Sequence, residues 1–290
     1  MGRPQLGIIA NTNKAGAADV VKATLSLLSS RQCTFLLDEA TAAIAGQPAG
    51  LPIPQLLEQI DLIILFGGDG TILQLARELG SKVKPIAAIN IGSLGFLTLG
   101  TANEIEPVID LLLDGSYAVS HRQMLRVSVS EEGSTIESSY ALNEVAVTRG
   151  EISRMVHVDV CVNGDFVTRY SGDGVIVSTS TGSTAYSLSA GGPIIEPQAN
   201  VWSITPVCTH SLSSRPLVVS RDAVIELSAP PQRDRVYVTI DGQLTIPLSN
   251  KGLVDIRRAD FDLPLVSRPG ASFFRLLRQK LDWSGGHGSA

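Results

Sequence analysis

Five apolar residues in a row, Leu62–Phe66, run directly into Gly67-Gly68-Asp69-Gly70-Thr71, and an amphipathic pattern follows. This junction constrains the fold more than any other stretch. An unbroken apolar run of strand length is buried on both faces, which calls for a parallel sheet covered on either side. Ile72, Leu75, Ala76 and Leu79 then recur at helical spacing, and Gly80 closes the helix. Leu6–Ala10 and Pro85–Ile91 repeat the buried-strand pattern. Val21, Leu25 and Leu28 mark a helix, and Cys33–Leu37 reads as a further strand. Strands alternating with helices predict βαβ units, hence an α/β domain.

The pattern changes near residue 120. Val156, Val158, Val160 and Val162 alternate as in a strand with one buried face, and Asn163-Gly164 is a strong hairpin signal. Phe166–Tyr170 is expected to pair back. Val175–Val177, Leu217–Val219, Val224–Leu227 and Val236–Ile240 read as short strands, and Asp241-Gly242 offers a second hairpin turn. The expectation is an α/β domain over 1–119, a β-rich domain over 120–268, and a helix with a disordered tail over 269–290, with Phe273, Leu277 and Leu281 on one helix face.

Composition narrows the function. A net charge of -5 argues against a broad electrostatic grip on nucleic acid, so an anionic ligand needs a local site. No run reaches the roughly 18 apolar residues of a membrane span, and no signal peptide is read at the start. Cys33, Cys161 and Cys208 form no CxxC pair, which fits a reducing cytoplasm and supports neither a disulfide framework nor a zinc site. His121, His157, His210 and His287 are scattered, and no resident metal ligands are assigned.

A strand–GGDGT–helix junction suits phosphate. Gly67, Gly68 and Gly70 let backbone N–H groups approach a ligand, and the helix that follows turns its positive end to the same place. Asp69 can take a proton from an attacking hydroxyl there, or touch a metal ion carried by phosphates. On the residues alone, a helix N-cap role for Asp69 competes. Neither GxxxxGK[ST] nor GxGxxG occurs, so the P-loop and Rossmann fingerprints are absent.

Tyr170–Pro193 holds two glycine-rich turns and a dense run of hydroxyls, among them Thr179, Ser180, Thr181, Ser183, Thr184, Ser187 and Ser189. Hydroxyls both donate and accept, which suits adenine and ribose. Tyr186 adds a face for stacking and Asp173 an acceptor. A Ser/Thr-rich surface loop is the alternative. Asn143-Glu144 stands between two apolar stretches, where the carboxylate could grip a ribose diol, although on these residues alone a plain turn or a solvated pair is the preferred reading.

Gly67–Leu73, Asn90–Leu97, Asn143-Glu144, Gly172–Pro193, Thr205-Pro206, Ser214–Leu217 and Asp241-Gly242-Gln243 resemble, in order and spacing, the NAD kinase family. GGDGT is shared with diacylglycerol kinases, sphingosine kinases and phosphofructokinases; Thr181–Pro193 is far more specific. The resemblance implies a two-domain enzyme that phosphorylates the adenosine-ribose 2′-hydroxyl of NAD with ATP and Mg²⁺ or another divalent cation. It also implies NAD in a cleft between the domains and a homodimer or homotetramer. Asp69 would be the general base. Asn143, Thr184 and Ala185 would hold the adenosine, Glu144 the ribose hydroxyls, and Asp173 and Tyr186 the nicotinamide end. Arg154, Ser189 and Gln243 match other ligand-lining positions, with Thr181, Ser187 and Leu188 in the same hydroxyl-rich run. A lipid kinase around the same turn, or a dinucleotide sensor without catalysis, are the alternatives. The family commonly has Thr-Pro-Thr-Gly where this chain has Thr179-Ser180-Thr181-Gly182, and loss of the proline is expected to loosen that loop.

Overall fold

The computed structural model describes residues 3–150, 155–209, 211, 213–231 and 235–283. Arg154, His210, His287 and the expected tail therefore lie outside the described residues. In chain order the elements begin with β1 (Leu6–Ala10), α1 (Ala17–Ser30), β2 (Phe35–Leu37), α2 (Glu39–Ala45), α3 (Ile53–Gln59), β3 (Leu62–Phe66), α4 (Asp69–Leu79), β4 (Ile86–Asn90), β5 (Gly100–Thr101) and α5 (Ile105–Leu113). They continue with β6 (Ala118–Glu131), β7 (Ser134–Ala141), β8 (Glu144–Arg149), β9 (Val156–Val162), β10 (Asp165–Gly172), β11 (Gly174–Thr179) and α6 (Tyr186–Ser189). The last are β12 (Val201–Val207), β13 (Leu217–Ser220), β14 (Ile225–Ser228), β15 (Val236–Ile240), β16 (Leu244–Leu248), β17 (Gly252–Ser267) and α7 (Phe273–Lys280).

The chain divides into two compact units. The first comprises 1–72, 82–121 and 264–290, the second 73–81 and 122–263. Two elements are thus shared along the chain: α4 begins in the first unit and ends in the second, and β17 runs the other way.

In the first unit β2, β1, β3 and β4 lie side by side, all parallel, with Leu6 opposite both Phe35 and Leu62, and Ile63 opposite Ile86. Every residue of β1, β3 and β4 is buried, as the apolar runs require. Helix α1 buries Val21, Leu25 and Leu28, the residues whose spacing marked it. Because β1, β3 and β4 are parallel, the segments that follow them leave from one edge of the sheet. Ligands of such sheets bind at that edge. Helix α7 starts at Ser272, whose hydroxyl accepts the Arg275 N–H, and buries Leu277.

The second unit is a β-sandwich. One sheet is antiparallel in the order β13-β12-β11-β8-β15-β16. The other runs β10-β9-β14-β17, with β6 on β17 and β7 on β6. Val145, Val147, Val175, Val177, Trp202, Ile204 and Val238 from the first sheet meet Val156, Val158, Val160, Ile225, Leu227 and Val254 from the second in one core. The alternating valines of β9 therefore face inward, as their period of two predicts. Asn163 and Gly164 take φ of 53° and 84° and return the chain into β10, with Asp165 opposite Val162. Asp241 and Gly242 do the same between β15 and β16, at φ 49° and 64°. No helix among the described residues is long and apolar enough to cross a membrane.

Candidate active site

In the first unit, β3 ends at Phe66 and α4 begins at Asp69, so Gly67 and Gly68 make the whole connection. The Asp69 side chain does not cap its own helix. Its Oδ2 accepts the Phe96 N–H at 2.8 Å and its Oδ1 the Leu97 N–H at 3.1 Å. Two backbone donors from the loop after β4 thus fix the carboxylate at the start of α4. That loop can come so close only because residue 95 is glycine: a Cβ on Gly95 would stand 2.0 Å from Asp69 Oδ1. Asn90, the last residue of β4, ties the loop back, its Nδ2 donating to the Ser93 carbonyl at 2.6 Å. Gly70 is exposed in the first turn of the helix.

In the second unit, Asn143 and Glu144 lie where β7 passes into β8. A single carboxylate holds the junction. Asp241, 5% exposed, accepts the N–H of Leu142 at 2.9 Å, of Asn143 at 2.8 Å and of Glu144 at 3.0 Å. From the other side the Thr179 hydroxyl donates to the Leu142 carbonyl at 2.6 Å, and the Ser178 hydroxyl to the Asn143 carbonyl at 3.2 Å. The turn Thr181–Thr184 rests on the same peptide: a Cβ on Gly182 would stand 2.1 Å from the Asn143 carbonyl oxygen.

Glu144 is 6% exposed, and its Oε2 has no hydrogen-bond partner among the described residues. Burial first, and then the charge of Asp241, push its carboxyl up to about 8; the Tyr186 N–H opposes this by donating to it. Burial likewise lifts Asp241 to about 6, against its three backbone donors and the Arg77 charge. A buried acceptor without a partner, next to an exposed aromatic, matches a sugar diol under a base. Tyr186 is 43% exposed, and its phenol is raised by burial first, then by Cys208, Asp173 and Glu144. Asp173 lies close enough to Tyr186 to act on it, and accepts Arg149 Nε at 2.7 Å. Gln243 is exposed on the Asp241 turn, where its Oε1 accepts Arg77 Nη1 at 2.8 Å.

The hydroxyl-rich run sorts into two groups. Ser180, Ser183 and Ser187 are buried and bond inward: Ser180 to the Ala199 and Val201 carbonyls, Ser183 to Ile195, and Ser187 to Thr205. Thr181 is buried as well. Thr184, Ala185 and Leu188 are half-buried, while Tyr186 and Ser189 are exposed. The exposed part is narrower than the sequence suggests, because Thr179, Ser180, Thr181, Ser183 and Ser187 are all buried. Ser180 also departs from the expected loosening. Its φ of -58° is one proline would adopt, and its hydroxyl ties the loop to two carbonyls.

Sequence reasoning missed Gly95, Asp241, Arg77 and Arg149. Gly95 and Asp241 sit inside segments that carry the family resemblance, and that was the available signal. Among the described residues no group of three or more His, Cys, Asp or Glu side chains is placed to hold a metal ion.

Known proteins give a consistent picture. The family model for the ATP-NAD kinase N-terminal domain matches residues 6–117, and that for the ATP-NAD kinase C-terminal domain matches residues 142–268. The chain is 37% identical over 280 residues to the NAD kinase of Trichlorobacter lovleyi, covering 96% of this chain and 98% of that one. It is 38% identical over 277 residues to the NAD kinase of Solibacter usitatus, covering 96% of each. Among solved structures, an NAD kinase from Archaeoglobus fulgidus in complex with ATP superposes with a TM-score of 0.72 at 28% identity, over 97% of this chain and 100% of that one. Yeast NADH kinase complexed with NADH superposes with a TM-score of 0.85 at 23% identity, over 100% of this chain and 90% of that one, a likeness of fold.

Proposed function

The chain belongs to the NAD kinase family, and from that premise we propose how its residues divide the work. The protein is an NAD kinase. It moves the terminal phosphoryl group of ATP to the 2′-hydroxyl of the adenosine ribose of NAD, giving NADP and ADP. The phosphates of ATP lie on the Gly67–Thr71 turn, against the N–H groups that open α4. Asp69 accepts the proton of the attacking hydroxyl. The observation that carries this assignment is the pair of N–H donors from Phe96 and Leu97, which fix the Asp69 carboxylate beside the phosphate turn.

Asn143, Thr184 and Ala185 hold the adenosine, and Glu144 accepts from the ribose hydroxyls; its unpartnered, buried Oε2 supports this role. Asp173 and Tyr186 take the nicotinamide end, with Ser189 and Gln243 lining the rest. Arg154, outside the described residues, is kept in the proposal on resemblance alone. Phosphoryl transfer passes through a loose transition state, so positioning and charge neutralisation outweigh base catalysis. A divalent cation, Mg²⁺ in this proposal, would neutralise phosphate charge, with Asp69 as the residue that touches it.

A homodimer or homotetramer in the cytoplasm completes the proposal. The three free cysteines fit that compartment, and the outermost strand β13 carries exposed Leu217 and Val218. Light scattering after gel filtration tests the assembly.

The activity is tested by mixing protein, ATP, Mg²⁺ and NAD and detecting NADP with an NADP-specific dehydrogenase. NADP formation that requires all components is expected. NAD binding without product would indicate a sensor, and neither binding nor product would indicate a lipid kinase built on the same turn.

A further inference from the structure

We infer that Lys14 is the cation that holds the donor's phosphate chain over Gly68. The inference rests on the reading that phosphate docks on the Gly67–Thr71 turn, and it adds a residue that neither the motif nor the family resemblance singles out.

The loop after β1 leaves the sheet at the same edge as the turn after β3 and the end of β4. It is fixed by a single asparagine. The Asn11 N–H donates to the Phe66 carbonyl at 2.8 Å, and Asn11 Nδ2 donates to the Thr71 hydroxyl at 3.2 Å. Asn11 also receives the Asn13 N–H on its side chain and the Lys14 N–H on its carbonyl, each at 3.1 Å. The residue that anchors Thr71 thus also anchors the Lys14 backbone.

The half-buried Lys14 side chain reaches Asn90, with Nζ donating to Oδ1 at 3.1 Å. Above Gly68 the ammonium and the Asn90 amide bound a small open space: a Cβ on Gly68 would stand 3.5 Å from Lys14 Nζ and 3.4 Å from Asn90 Nδ2. No carboxylate among the described residues pairs with Lys14, and the two oxygens of nearby Asp69 already accept from Phe96 and Leu97. A half-buried ammonium whose hydrogen-bond partner is a neutral amide, and which forms no ion pair, keeps its charge available to an anion on the turn. A lysine serves phosphate as a compact point charge, with donors left over after one bond to Asn90.

Steady-state kinetics on the full chain test the inference, with inorganic tripolyphosphate as a competitor of ATP. Lys14→Gln is expected to raise KM for ATP and the inhibition constant of tripolyphosphate by about tenfold or more, the scale of a lost hydrogen bond to a charged group. KM for NAD should stay within about twofold, and Lys14→Arg should recover part of the loss. Wild-type values for ATP and tripolyphosphate in Lys14→Gln would overturn the inference. So would equal rises for ATP and NAD that Lys14→Arg does not recover, the mark of general loosening. Gly68→Val, which fills the space, separates this from failure of the parent reading. If it impairs ATP and tripolyphosphate while Lys14→Gln does not, Lys14 alone is wrongly assigned. If neither variant affects them, the turn is not the phosphate site and both readings fall.

Discussion

The two units present their functional residues in opposite ways. The proposed phosphate turn of the first unit is local in its elements, a buried strand, two glycines and a helix that opens on the proposed base Asp69, and only the loop that carries Phe96 and Leu97, 27 and 28 residues on, is brought to it. The residues proposed to bind the nucleoside, in the second unit, depend on a partner far along the chain. Asp241 holds the peptide of Leu142, Asn143 and Glu144 from 97 to 99 residues away. The difference follows from the ligands. Phosphate is recognised by charge and by backbone N–H groups, which a helix start supplies. A neutral sugar and base need acceptors and donors at set positions, which a sandwich supplies only when distant strands are locked together.

The contrast can be broken at each end. Asp69→Asn, on the local side, should lower kcat by about 10²–10⁴-fold, the usual worth of a general base, while the affinity for NAD changes little. Calorimetric titration of NAD into the variant, beside turnover rates, checks this. Gly95→Ala should lower kcat by about 10²-fold, because a methyl group there displaces the Asp69 carboxylate, and near-ångström displacements cost that much. On the distant side, Asp241→Asn should raise KM for NAD by about tenfold and leave KM for ATP nearly unchanged, since a lost charge-assisted bond is worth about 1.5–3 kcal/mol. If ATP and NAD respond alike to Asp241→Asn and Gly95→Ala, the division of labour is wrong.

A pH effect sharpens the same contrast. Glu144 is raised from 4.5 to about 8 and Asp241 from 3.8 to about 6. Both are acids whose folded value exceeds the unfolded one. Their contribution to stability is therefore complete below the unfolded values and is lost as pH rises through about 6 and then about 8. The ligand-free protein should melt a few degrees lower at pH 9 than at pH 6 for a chain of this size, and Glu144→Gln should remove most of that difference. Differential scanning calorimetry across that range reads it. The smallest effect is expected at residue 180. Ser180→Ala should destabilise by about 1 kcal/mol through loss of the donor to Ala199 and Val201. Ser180→Pro loses the same donor but regains about 0.4–1 kcal/mol from a stiffer unfolded chain, and should lie closer to wild type in denaturant unfolding.

The sequence was legible where structure is set by neighbours. Leu62–Phe66, the helix it feeds, the valines of β9 and the two hairpin turns could all be read from spacing and turn chemistry. Helices α2 and α3 could not, because seven residues give too little periodicity to register. The start of α2 is marked instead by Asp38, which accepts the N–H groups of Ala40 and Thr41. Among the proposed site residues, Asp69 and Glu144 stood out by motif and resemblance, but what orients each of them did not. Gly95 matters only because a loop folds onto Asp69, and Asp241 only because β15 lies beside β8. Among the hydroxyls, burial separates Ser187 from Ser189, and two residues of spacing cannot show which faces inward.

The account is tested most directly by following where the phosphorus goes. The protein is incubated with Mg²⁺, NAD and ATP, and the products are resolved by ³¹P NMR. One new monoester should form per ADP released, on the 2′-oxygen of the adenosine ribose. A phosphate on the nicotinamide-side ribose, or ADP released with no new ester, would contradict the assignment of Asp69 and Glu144 to one reaction.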